Sequence, residues 1–127
     1  MGTRFLSGGP YQDDIMSLPV VNLDEAVPYY EQVMGFKTIA RYNSPVKSAI
    51  LERDNIRIGF SENGEDPKQD GAFFEVDDVE AAFEEMRING LGRDDPNYRV
   101  DQWDEKSYKV FFVVAPDELC YCIGQLN

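Results

Sequence analysis

Apolar positions recur along this chain with two periods, and the two periods alternate in the same order twice. Ala26, Val27, Tyr30, Val33 and Met34 fall at helical spacing, as do Val79, Ala82, Phe83 and Met86. Around them lie short runs that alternate apolar and polar residues, the mark of strands with one face buried. The runs predict strands at Ile15–Val21, Phe36–Tyr42, Lys47–Arg53 and Ile56–Ser61 in the first half. In the second half they predict strands at Gly71–Val76, Tyr98–Gln102, Tyr108–Val114 and Leu119–Gly124. Asp54-Asn55 reads as a tight turn between two of these strands.

The two halves superpose as sequence. A constant offset of 56 residues sets Asn22 on Asp78, Leu23 on Val79, Asp24 on Glu80 and Ala26 on Ala82, and Gly35 meets Gly90 after one gap. Asn22 and Asp78 suit helix N-caps, because their oxygens accept the free N–H groups of the first turn. Asn89-Gly90 supplies a stop. The first helix is expected over roughly 24–34, with Pro28 tolerable if hydrogen bonding starts near Asp24 or the helix bends. A strand, a helix and three strands, occurring twice, predict an α+β fold: two tandem βαβββ modules, about 14–62 and 70–126, forming a curved mixed sheet around a cleft, with helices on the outer face. Residues 14–127 form one domain. The opening stretch, residues 1–13, with Gly8-Gly9-Pro10, reads as a flexible arm.

Composition narrows the chemistry. The 127 residues carry a net charge of −12, which disfavours nucleic acid and anionic membranes and favours a cationic ligand at long range. No apolar run is long enough to cross a bilayer and no export signal is evident, so the cytoplasm is the expected location. The chain has no histidine, which removes every site built on imidazole. Its two cysteines, Cys120 and Cys122, lie two apart on one strand face, where they read as small buried apolar groups.

Strand alternation sorts the side chains. Ile56, Ile58 and Phe60 point toward a helix, which leaves Arg57, Gly59 and Ser61 facing the cleft. Gly71, Phe73 and Glu75 face it on the next strand, and Ser17, Val110, Phe112, Cys120 and Cys122 follow by the same rule. Arg57 and Glu75 form either a salt bridge between the halves or a pair of ligand-binding groups. Tyr42 and Tyr108 either reach the cleft or lie on the surface.

The chain resembles the glyoxalase, bleomycin-resistance and extradiol-dioxygenase superfamily. The resemblance rests on Leu18–Phe36, on Phe74–Phe83 and on the closing turn and strand Ala115–Gln125, taken in that order with the repeat. Enzymes of that family place one metal ligand on each of four strands, and the matching positions here are Ile15, Gly59, Gly71 and Cys122. These cannot assemble a catalytic metal site. The closing turn departs from the family's pattern, with Ala115 for the usual Asp and Glu118 for the usual Gly. The resemblance therefore implies a metal-independent, cofactor-free small-molecule binding protein of the bleomycin-resistance type, holding a planar or cationic compound and forming a homodimer. Trp103 sits where drug-binding members carry a stacking aromatic; it is read as that, or as a loop anchor or dimer contact. The alternatives are a cofactor-free enzyme with Glu75 as general base and a non-catalytic interaction module.

Overall fold

A computed structural model of the chain describes residues 3–10, 15–67, 70–103 and 105–127; the side chains of Pro10 and Trp103 are not described. The elements are β1 (Phe5–Pro10), β2 (Leu18–Pro19), α1 (Leu23–Gln32), β3 (Lys37–Tyr42), β4 (Ser48–Arg53) and β5 (Ile56–Ser61). They continue as β6 (Gly71–Val76), α2 (Val79–Ile88), β7 (Arg99–Trp103), β8 (Lys106–Val114) and β9 (Cys120–Leu126). The first module makes a four-stranded sheet in the order β2-β5-β4-β3. The second repeats that arrangement as β6-β9-β8-β7 and gains β1 on its outer edge. In each module the first strand runs parallel to the fourth while the hairpin partners are antiparallel. The fold is thus two βαβββ modules on curved, unclosed sheets, as the alternating periods predict.

Both caps form where the spacing puts them. Asn22 Oδ1 accepts the Glu25 N–H at 3.3 Å, and Asp78 Oδ1 accepts the Ala81 N–H at 3.0 Å. A second device repeats as well. The first N–H of α1, on Leu23, donates to Glu62 just beyond β5, and that of α2, on Val79, donates to Gln125 in β9, at 2.8 and 2.9 Å. Helical bonding starts at the Asn22 carbonyl, which accepts from Ala26 N, so Pro28 lies inside the helix and the Asp24 carbonyl loses its usual donor.

One apolar cluster joins the modules. Tyr30 of α1 lies tilted against Phe60 at 4.4 Å and meets Tyr121 edge-on at 5.6 Å, and Phe74 stacks on Tyr121 at 5.3 Å. Arg53, at the end of β4, crosses from one half to the other. Its Nη2 donates to Glu85 Oε1 of α2 at 2.8 Å and to the Thr3 carbonyl at 2.9 Å, while Nη1 donates to the Met34 carbonyl at 2.7 Å. The guanidinium lies 4.3 Å from the Phe5 ring centroid. Gly35, at φ +74, leaves room for it: a Cβ there would stand 2.7 Å from Nη1.

The flexible arm is corrected for the part that is described. Phe5–Pro10 pairs antiparallel with β6, and Phe5 is fully buried, with its N–H donating to Asp54 Oδ2 at 2.9 Å and its carbonyl accepting from Asn55 N. Burial of one large apolar side chain, together with pairing to β6, holds the stretch in place. The expected strand Ile15–Val21 shrinks to Leu18–Pro19, because residues 15–17 turn across β5. No helix among the described residues is long and apolar enough to cross a membrane.

Candidate binding site

The register of the second sheet sets its helix-free face in rows. Phe73 lies opposite Cys122, which lies opposite Phe112. In the next row Glu75 faces Gly124, Gly124 faces Val110 and Val110 faces Arg99. Beyond it Leu126, Tyr108 and Asp101 align, and on the other side Gly71, Cys120 and Val114. Apolar members of these rows pack into a second, smaller cluster. Tyr108, Val110 and Cys122 are buried, with half-buried Phe73 and Phe112 packed against them. Gly124 permits this, since a Cβ there would meet Val110 Cγ1 at 2.8 Å and Phe73 Cε1 at 3.0 Å. The Phe73 ring stands edge-on to Tyr108 at 5.3 Å. Arg99 lies over Phe112 at 4.5 Å and chelates Asp101 through Nε at 2.9 Å and Nη2 at 3.2 Å.

Alternation in the sequence therefore identifies the members that the structure gathers on one sheet: Gly71, Phe73, Glu75, Val110, Phe112, Cys120 and Cys122. Arg57 and Gly59 lie on the other sheet, and Ser17 lies in the turn just before its first strand. Arg57 is largely exposed and pairs with Glu52 on the neighbouring strand at 2.9 Å, while Glu75 accepts a hydrogen bond from the Ser7 hydroxyl at 3.3 Å. The Arg57–Glu75 bridge is not formed, because each finds a partner on an adjacent strand. Ser17 is exposed, and its carbonyl accepts from Asn63 at 3.4 Å. Tyr42 is exposed on β3, whereas Tyr108 joins the cluster. The Trp103 backbone pairs with Lys106, and its side chain lies outside the described residues.

Two features escaped the sequence reading. Arg99 and Asp101 alternate within a predicted strand, but only their register with Val110 and Tyr108 puts them on this face. The other is a buried polar group on the helix side. Tyr121 donates to the Tyr30 hydroxyl at 2.7 Å, and Tyr30 donates to Asp117 Oδ2 at 2.8 Å. Burial, only partly offset by the Tyr30 hydrogen bond, raises the Asp117 carboxyl above its usual range. The neighbouring Tyr29 hydroxyl is buried without a hydrogen-bond partner among the described residues and pushed up to about 12, chiefly by burial.

Two cavities flank these groups. One of about 760 Å³ lies between the loop after α2 and the end of β8; one of about 620 Å³ lies between the start of α1 and the turn Pro116–Glu118.

The model of the Glyoxalase/Bleomycin resistance protein/Dioxygenase superfamily matches residues 12–108. The chain belongs to this superfamily. Solved structures of the same fold include a protein from the mobile metagenome of V. Pseudocholerae, with 19% identity over 90% of this chain and 93% of that one and a TM-score of 0.67. A bleomycin resistance determinant encoded on the transposon Tn5 has 19% identity over 87% and 93%, with a TM-score of 0.61. TnmS3, an antibiotic binding protein from Streptomyces sp. CB03234, has 16% identity over 88% and 93%, with a TM-score of 0.59. Among curated proteins none matches the chain.

For a superfamily whose enzymes use a metal, the donor set is the test. The glycine at position 59 does not leave a vacant ligand place. A Cβ there would stand 2.2 Å from the Met16 carbonyl oxygen, and the Gly59 N–H donates to the Ile15 carbonyl at 3.0 Å. The space beside this glycine is filled by main chain. Cys122 lies between Phe73 and Phe112, its thiol pushed up to about 12 by burial and by the Asp101 charge, and so is neutral. Ile15 and Gly71 have no side-chain donor. These four positions do not fit a metal ion, and among the described residues no three His, Cys, Asp or Glu side chains cluster to hold one.

Proposed function

We propose that this superfamily member binds a planar small molecule on the helix-free face of its second sheet, without a metal ion. The observation that carries the reading is the half-exposed pair Phe73 and Phe112, set on either side of Cys122 with Arg99 and Asp101 at the rim. Flat aromatic rings offer a large contact area at small entropic cost, and an ion pair beside them orients a polar substituent. The acidic chain favours a cationic ligand. The Tn5 bleomycin resistance determinant and antibiotic-binding TnmS3 support the class of function, and neither identifies the compound.

Calorimetric titration of planar aromatic cations, with their neutral and anionic counterparts, tests the reading. Saturable binding that Phe112→Ala weakens at least tenfold, about 1.4 kcal/mol, is the expected result. Binding that survives both Phe112→Ala and Phe73→Ala would place the ligand elsewhere, and no binding by the whole panel would favour an interaction module. We further propose that the protein works as a homodimer; sedimentation showing only a 14.5 kDa species would overturn this.

A further inference from the structure

β8 outruns its neighbour. β7 accompanies it only as far as Val110, opposite Arg99, whereas β9 follows it to Val114. The end of β8 therefore has no strand on the β7 side, and the loop after α2 faces it across the larger cavity, about 760 Å³. That volume is in the range of small-molecule pockets, roughly 300–1,000 Å³.

Leu91, Pro96, Phe112 and Val114, the last of them 66% exposed, give the cavity an apolar part. One cation lines the cavity. Arg93 donates through Nε to the Asp95 carbonyl at 3.0 Å, through Nη1 to the Phe112 carbonyl at 2.8 Å and through Nη2 to the Pro96 carbonyl at 3.1 Å. These bonds fix the guanidinium and use three of its five N–H groups, leaving one on each terminal nitrogen. Arg41, Lys47, Arg53, Arg57, Arg87, Arg99 and Lys109 have a carboxylate within ion-pair distance, whereas among the described residues Arg93, like Arg4, Lys37 and Lys106, has none. Its charge is felt as far as the Tyr29 hydroxyl, whose raised pKa it partly lowers. The one acid of the lining, Asp95, has an oxygen engaged by the Asn97 N–H at 2.9 Å.

We propose that this cavity binds a carboxylate carried on an apolar body. The acid meets the two remaining N–H groups of Arg93, and the body lies along Pro96, Phe112 and Val114. A guanidinium held in place by carbonyl oxygens attracts a carboxylate, and little side-chain freedom is lost on binding. The site adjoins that of the planar ligand, since Phe112 and Val114 belong to rows of the same face, but the proposal does not rest on that reading: Arg93, which carries it, lies outside those rows.

Octanoate and octylamine, titrated separately into the full chain and followed by amide NMR, decide it. Octanoate is expected to saturate and to move the signals of Gly92, Arg93, Asn97 and Val114, whereas octylamine leaves them unmoved. Val114→Glu puts an anion on the wall without touching the Arg93 bonds and is expected to weaken octanoate at least tenfold. Arg93→Lys, with its melting temperature checked, is expected to weaken it severalfold. No saturation by octanoate, equal binding of octylamine, undiminished affinity in Val114→Glu, or shifts confined to Phe73, Tyr108 and Cys122 would each overturn the proposal.

Discussion

The two sheets share one strand order, one capping device and one parallel pairing, yet their helix-free faces differ in kind. On the second sheet that face holds an apolar cluster of Phe73, Tyr108, Val110, Phe112 and Cys122. On the first it carries Lys37, Glu52 and Arg57 in one cross-strand row, with Gly59 covered by the Met16 main chain. The devices that build the module are repeated while the chemistry of its open face is not. Function in such a duplicated fold is to be sought in the half whose face departs from a plain solvated surface.

Four measurements break or sharpen this contrast. The largest effect is expected where the halves are strapped together. Arg53→Met leaves Glu85 uncompensated beside carbonyls that lose their donor, and it should cost about 3 kcal/mol in urea unfolding. A loss below about 1 kcal/mol would mean that the sheets hold together without the strap. Two close-packed glycines, one on each open face, come next. Gly59→Ala drives a methyl into backbone and should cost about 2 kcal/mol, while Gly124→Ala presses on side chains that can give and should cost about 1 kcal/mol. The reverse order would show that the second face is the more rigid of the two.

Third is the pH dependence set by Asp117. Because its folded carboxyl is raised, the folded chain holds this proton more tightly than the unfolded chain. Its contribution is therefore fully present below the ordinary value of 3.8 and is lost as pH rises through the higher folded value. Asp117→Asn removes the titration, so the stability of the variant minus that of the parent should rise with pH across this window. A difference that is flat or falling would mean the carboxyl is not held protonated by burial. The smallest effect belongs to the first sheet's open face. Arg57→Ala removes an exposed pair and should change stability by no more than about 0.5 kcal/mol, with no change in ligand binding.

The elements were legible because their signals are local. Asn22 and Asp78 cap helices through bonds spanning three residues, and strand alternation sorted Phe73, Phe112 and Cys122 onto one face before any pairing was known. What escaped depends on long-range placement. Phe5 and Leu6 are two apolar residues in a stretch otherwise polar and glycine-rich, and nothing local says that Phe5 lies beside Arg53. The path of Met16 over Gly59 is a tertiary event that a glycine can only permit. Pairing Arg57 with Glu75 required knowing how two sheets face each other, whereas adjacent strands supplied Glu52 and Ser7 instead.

The buried thiol of Cys122 has a consequence for any reactive guest. With its pKa near 12, on the order of one in 10⁵ of these groups is thiolate at neutral pH. The central row of the face thus offers an electrophile two hydrocarbon rings and an almost inert sulfur. A compound that alkylates exposed thiols could rest against this row without being consumed by it and leave unchanged.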